Sequence, residues 1–234
     1  MTQVYRFAGA TFKITCAHEL FEQMAQAYAC AGGWDFEIDP ERDGPAPEEG
    51  SDAFAPAQRE ALSIYRSVAE ALPGAGAFAF HASAISVDGQ AYLFAAPSGV
   101  GKSTHARLWR ELLGSWAVMI NDDKPFLRVQ RDGMALAFGS PWDGKHHLSS
   151  NLSAPVRAIC LLERAPQNRV SRADKGELLP FLLRQTYRPR DPKRLSQTLS
   201  LWNALKADLY RLECNMEKDA ARVAARALGV PAVE

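Results

Sequence analysis

The sequence predicts an α/β protein with a mixed sheet and flanking helices. Three observations carry this. Short apolar or alternating runs that suit strands are separated by stretches with helical spacing of apolar residues. Two pairs of strand-like runs are joined by tight-turn signals, Asp88-Gly89 and Arg131-Asp132-Gly133. The chain has 234 residues, 47% of them hydrophobic, which is enough for one well-buried core.

Taken in order, residues 4–7 and 11–15 alternate and read as two strands. A helix follows from Glu19 to about Ala29, and "WDFEID" (34–39) suits a third strand. The acidic Pro/Gly-rich stretch 40–52 reads as a surface loop. Residues 56–72 form an amphipathic helix with Pro56 near its start and Leu62, Tyr65, Val68, Ala69 and Leu72 on one face. "PGAG" (73–76) breaks the chain, and the hairpin "AFAFHASAISV"/"QAYLFAA" follows. A helix then runs to Gly114, and "WAVMI" (116–120) reads as a buried strand. "PFLRVQ" and "MALAF" form a second hairpin, and 156–164 a further strand. Helices at 174–186 and 192–207, a strand at 209–214 and a last helix at 216–228 complete the chain, with Asn215 as the last helix's N-cap.

Lysine plus arginine number 27, as do aspartate plus glutamate. A zero balance argues against broad binding to nucleic acid or an anionic membrane, which needs a basic surplus. No apolar stretch approaches the length of a membrane span, and the N-terminus lacks the pattern of a signal peptide. Cys16, Cys30, Cys160 and Cys214 are far apart and form no CxxC pair, so reduced thiols in a cytoplasmic protein are expected.

The segment Ala96-Pro97-Ser98-Gly99-Val100-Gly101-Lys102-Ser103, followed by Thr104, fits [AG]xxxxGK[ST]. It lies between an apolar strand and a helix, as a phosphate-binding loop requires. Gly99 and Gly101 let the backbone curl so that N–H groups face phosphate oxygens, and the helix N-terminus adds partial positive charge. Lys102 then reaches the β- and γ-phosphates of ATP, and Ser103 offers a hydroxyl to Mg²⁺. The competing reading is a glycine turn with an incidental lysine, which the strand–turn–helix context disfavours.

Asp122 and Asp123 end the next strand. Ligands of open α/β sheets sit at such strand ends. One carboxylate can therefore hold Mg²⁺ and the other accept a proton from an attacking hydroxyl. An ordinary Asx turn is the alternative. His81 lies in an apolar strand, where a lone histidine is more often a satisfied core residue.

"HASAISVDGQAYLFAAPSGVGKSTHARLW" together with "VMINDDKPFLRV" resembles the catalytic core of HPr kinase/phosphorylase. The same stretch is similar, more distantly, to ATP-dependent phosphoenolpyruvate carboxykinase. The whole chain resembles bacterial HPr-kinase-like proteins that share "GSPWDGKHH", "LLRQTYRP" and "LECNM". The resemblance implies a P-loop kinase core of that type. It puts His81 near the transferred phosphoryl group or a second metal, and Lys102 and Ser103 on phosphates and Mg²⁺. It matches Asp122 to the base and Asp123 to a metal-linked carboxylate, two roles that could be exchanged. The glycine- and arginine-containing signature of HPr kinase is missing, and "FGSPWDGKHHLSSN" (138–151) stands in its place. That departure argues against HPr itself as the substrate, and no oxaloacetate-binding arginine set supports a carboxykinase.

Two further segments carry cations. In "GSPWDGKHH", Lys145 could clamp phosphate or close over the acceptor with Trp142 as anchor, against the alternative of a solvated basic loop. The adjacent His146 and His147 would point apart, which disfavours a two-histidine metal site. In "LRQTYRPRDP" Arg188 could approach the transferring phosphate, whereas cations at a helix C-terminus also suit its dipole.

The expected protein is thus an ATP- and Mg²⁺-dependent kinase acting on a hydroxyl of a protein, a peptide or a small alcohol. Residues 1–75 would be a small region packed on a catalytic domain, 76–234. The alternative is a nucleotide-sensing module without transfer activity. No nucleic acid or membrane partner is expected, and self-association is compatible with the resemblance.

Overall fold

A computed structural model describes residues 1–40 and 54–230. The predicted 40–52 loop lies, beyond its first residue, outside the described residues.

The chain opens with an antiparallel hairpin, β1 (Thr2–Phe7) and β2 (Ala10–Thr15). Tyr5, Phe7, Phe12 and Ile14 alternate onto its buried face, as period-2 patterning requires. α1 (Glu19–Ala25) follows, and β3 (Phe36–Ile38) adds in parallel to β2. The predicted helix to Ala29 ends early because its last residues tighten into a 3₁₀ turn. α2 (Pro56–Ala71) begins on Pro56, whose missing N–H costs nothing there. It buries Ala61, Ile64, Val68 and Ala69.

The second sheet has nine strands: β4 (Ala77–Ala79), β5 (Ala82–Val87), β6 (Gln90–Ala95), β7 (Ala117–Asn121), β8 (Phe126–Val129), β9 (Ala135–Phe138), β10 (Ser153–Arg164), β11 (Arg169–Arg172) and β12 (Asp208–Cys214). Its order is β4-β8-β9-β10-β6-β5-β7, with β12 also on β10 and β11 on β12. β10 runs parallel to β6 and β12, and the other pairs are antiparallel, so the sheet is mixed. β10 joins two parts of the sheet. Its first residues pair with β9, and the rest pair with β6 and β12.

Helices cover both faces. α3 (Lys102–Leu113), through its Trp109, and α6 (Lys218–Ala227) form one apolar cluster with Phe94 of the sheet. On the other face α4 (Lys175–Arg184) and α5 (Pro192–Ala204) flank Phe78, Phe80 and Trp202. A third apolar cluster joins β1, β2 and α2 to Ala77, Ala79, Phe126 and Trp142, so the first sheet sits directly on the second.

Three expectations change. "WAVMI" is an edge strand rather than a fully buried one, and Val118 is exposed because β7 ends the order. The helix predicted at 174–186 stops at Arg184, because Thr186 leaves it to bridge Phe80. Asn215 accepts from the Glu217 N–H in an Asx turn, and Glu217 is the N-cap. No described helix is long and apolar enough to cross a membrane.

Candidate functional site

The apolar run of β6 ends at Ala96, which is fully buried, and the chain turns through Pro97–Gly101 into α3. Gly99 and Gly101 have φ of 78° and 129°, backbone that a residue with a Cβ rarely adopts. The glycines are thus explained by the turn's shape. Arg164, the last residue of β10, donates to the carbonyls of Gly99 and Val100 and ties the turn to the neighbouring strand.

The opposite wall comes from two crossings that lie side by side. One carries the chain from β4 to β5 through Phe80 and His81. The other carries it from β7 to β8 through Asp122–Pro125. Phe80 N–H donates to the Pro125 carbonyl at 3.0 Å and Ala82 N–H to the Asp123 carbonyl at 3.2 Å. A histidine and two carboxylates are brought together because both strand pairs change partners at the same point.

Asn121 makes the turn after β7. Its Oδ1 accepts from the N–H groups of Asp123 and Lys124 at 2.8 and 2.6 Å, and its Nδ2 donates to the Ser140 carbonyl. The Asx turn is therefore present, but Asn121 supplies it, and both aspartates are left for other partners.

Asp122 is buried and accepts from Ser83 Oγ at 2.7 Å. Asp123 Oδ1 lies 2.9 Å from His81 Nδ1, and its Oδ2 lies 2.5 Å from Lys124 Nζ. Burial alone would raise the Asp123 pKa. The hydrogen bond from His81 and the ammonium of Lys124 outweigh it and hold the group at about 2. Lys124 also sits over the Tyr65 ring at 5.5 Å.

Lys102 is buried, which lowers its pKa, while the charges of Asp123 and Asp122 oppose that. Its Nζ lies 2.9 Å from His81 Nε2 and 2.9 Å from the Ala96 carbonyl. An ammonium can only donate, so His81 Nε2 accepts and its proton is assigned to Nδ1, facing Asp123. Asp123, His81 and Lys102 thus form one chain of hydrogen bonds.

These groups line one cavity of about 550 Å³, together with Ser98, Ser103 and Thr104. Lys145, His146 and Arg164 overhang it. Gly144, beside Lys145, has a φ of 75°, and a Cβ there would stand 3.1 Å from the Asp123 Cβ, so the loop passes close over the carboxylate's stem. Asp143 steadies the same loop, accepting from Ser149 Oγ at 3.1 Å and lying 3.2 Å from His147 Nδ1. His146 lines the cavity and His147 does not. Trp142 does not face the cavity. It is buried among Phe7, Phe21, Tyr65 and Phe126 and donates to the Ala61 carbonyl at 2.9 Å.

Arg188 is not brought to this cavity. Gln185 pairs with His81 and Tyr187 with Ala79, so the chain runs away from the site before Arg188, which is exposed. Arg164 supplies the cavity's arginine instead. Sequence reasoning missed Arg164, although it ends the strand beside β6, where the strand-end rule would place it. It also missed Ser83, which shares a strand face with His81 at i+2, and Lys124 next to the aspartates.

The donor set suits Mg²⁺. That ion takes one or two protein oxygens and leaves the rest to phosphates and water. The Asp122 carboxylate and the Ser103 hydroxyl line the same cavity and fit this. Both Asp123 oxygens are already engaged by His81 and Lys124. Among the described residues no group of three or more His, Cys, Asp or Glu forms an all-protein metal cage.

Fold and site together define an α/β protein with a mixed, curled sheet and a polar cavity at its strand ends. No family model matches the chain, and no curated protein is similar to it. Among solved structures, the Hpr(Ser) kinase/phosphatase from Coxiella burnetii is similar, with a TM-score of 0.37 and 9% identity. That likeness covers 64% of this chain and 95% of the other.

Proposed function

We propose that the chain is an ATP-dependent phosphotransferase that moves the γ-phosphate of ATP to a hydroxyl. The observation that supports this most is the convergence of Lys102, Ser103, His81 and both aspartates on one cavity against a glycine turn. A binding module needs only the turn and its lysine. The half-buried histidine–carboxylate pair is what proton transfer needs.

The N–H groups from Gly99 to Thr104 receive the phosphates, and Lys102 leaves His81 to meet their charge. Ser103 and Asp122 would hold Mg²⁺, which would neutralise charge on the phosphates. This moves to Asp122 the metal-linked role that the sequence resemblance gives Asp123, because Ser83 engages one Asp122 oxygen whereas both Asp123 oxygens are taken, and it passes the base's role to His81. Asp123 keeps His81 in its Nδ1–H form. The exposed Nε2, freed from Lys102, takes the proton of the attacking hydroxyl. Lys145 reaches over the cavity from its loop and faces the transferring group. On this reading 76–234 is the catalytic domain, and residues 1–75 brace it through Trp142.

Transfer of labelled γ-phosphate, to water or to the protein itself, tests the reading. Mg²⁺-dependent turnover that Asp122→Asn abolishes supports it. ATP binding without turnover in the presence of serine-containing peptides and small alcohols would mark a sensor instead.

A further inference from the structure

The segment "LRQTYRPRDP" (183–192) carries arginines that the phosphate cavity does not use. It is tied to that cavity's wall where Gln185 accepts from the His81 N–H, and Tyr187 then donates its N–H to the Ala79 carbonyl. From Tyr187 onward it borders a separate hollow of about 460 Å³, whose other walls are β3, α2 and the start of α5. No described residue lines both. The volume falls in the range of about 300–1,000 Å³ usual for small-molecule sites.

We infer that this hollow binds a small organic carboxylate with a flat, apolar body. Charge is the first argument. Three carboxylates line the hollow, and each is already engaged. Glu37 pairs with Lys13 at 3.2 Å. Glu70 accepts from the N–H groups of Arg190 and Asp191 at 3.1 and 2.9 Å, and from the Tyr187 hydroxyl at 3.4 Å. Asp191 accepts from the Arg194 N–H at 2.8 Å and so caps α5. Two of the cations are less well matched. Arg194 donates to the neutral Gln197 side chain at 3.3 Å and lies 5.9 Å over the Phe36 ring. The Arg190 guanidinium has no hydrogen bond or ion pair among the described residues. The charge left to answer is positive.

Shape is the second argument. A guanidinium fork fits a planar carboxylate through two parallel hydrogen bonds. A phosphate gains most from a cradle of backbone N–H groups. The N–H groups of Arg190, Asp191 and Arg194 are taken by Glu70 and Asp191, so this corner offers no such cradle. The third argument is the rest of the wall. Phe36 and Tyr187 offer aromatic surface to a flat body. Ser67, also on the wall, is buried, and its hydroxyl has no partner among the described residues. Such a group is destabilising until a polar atom answers it.

Phenylacetate, phenylacetamide and phenyl phosphate, each titrated into isotope-labelled protein and followed by amide chemical shifts, test this. Phenylacetate should bind with a Kd on the order of 1 mM, the scale for a ligand of about ten heavy atoms. It should shift amides at 36–38, 66–71 and 187–194, the stretches that wall the hollow. The uncharged amide should bind at least about tenfold more weakly. Arg190→Gln and Arg194→Gln should each weaken phenylacetate by about tenfold, the scale of one hydrogen bond to a charged group, and the spectra report whether each variant is folded. No shifts in the hollow at about 20 mM phenylacetate, shifts centred on Gly99–Thr104, or equal binding of the amide would overturn the inference. So would an unchanged Kd in either variant. Phenyl phosphate held in the hollow more tightly than phenylacetate would overturn the choice of a carboxylate.

Discussion

Lys102 Nζ and His81 Nε2 lie 2.9 Å apart, so the cation of the glycine turn is hydrogen-bonded to the histidine opposite. With its further bond to Ala96, the lysine is folded back on its own loop. Burial already disfavours its charge, and an arriving phosphate would supply a stronger partner than a neutral imidazole. Exchange of one partner for the other would release His81 Nε2 at the moment the phosphates arrive.

Replacing the lysine should therefore act on binding first. Lys102→Met keeps the stem's volume and removes the ammonium. ATP affinity should fall by about 10- to 100-fold, the value of a charge-assisted hydrogen bond or two. Calorimetry checks this, and an unchanged Kd would show that the phosphates lie elsewhere.

His81→Gln should split binding from turnover. The amide can still accept from Lys102 but cannot take a proton. Expected is a loss of about 10²- to 10⁴-fold in kcat, the usual worth of general-base help, with Kd for ATP within a few-fold of wild type. Equal losses in both would make His81 a phosphate ligand rather than a base.

Asp123 links the site to acid stability. Its folded pKa, about 2, lies below its ordinary value of 3.8, so the ionised form favours the fold. The contribution is fully present above the unfolded pKa and is lost as pH falls through 4 towards 2. It amounts to about 2 kcal/mol at neutral pH. Denaturant unfolding of wild type and Asp123→Asn should show a gap at pH 7 that narrows to about half near pH 3 and closes only below about pH 2.

Trp142 couples the two sheets. Trp142→Ala removes a buried indole and leaves the Ala61 carbonyl without its donor. A loss of about 3–5 kcal/mol is expected from large-to-small core substitution. The 139–151 loop that carries Lys145 should loosen with it, and amide exchange across residues 143–149 would report that. A stable variant with unchanged exchange would show that the loop is held from elsewhere.

Much of this was legible in the residues. The alternation of Tyr5, Phe7, Phe12 and Ile14, the Asp88-Gly89 turn and Pro56 at a helix start each carry a local rule that the fold obeys. The glycine turn and the Asp122–Asp123 pair were legible for the same reason, since strand, turn and helix follow one another in the chain. β7 is buried as read except at Val118, whose exposure was not legible because the strand's place at the sheet's edge is set by sheet order, which lies outside any local window. Sequence allows Arg188 either to approach the phosphate or to serve the helix C-terminus, and only the backbone bond of His81 to Gln185 shows that the chain leaves the cavity before it. Arg164 is 62 residues beyond Lys102, and only the parallel pairing of β10 with β6 brings it to the turn.

The account depends on phosphates and carboxylates meeting in one cavity. A crystal structure with a non-hydrolysable ATP analogue and Mg²⁺ measures this most directly. The account predicts the triphosphate over Gly99–Thr104, the ion between Ser103 and Asp122, and the γ-phosphate towards His81. An analogue bound away from that turn, or one seated there with both aspartates facing elsewhere, would contradict it.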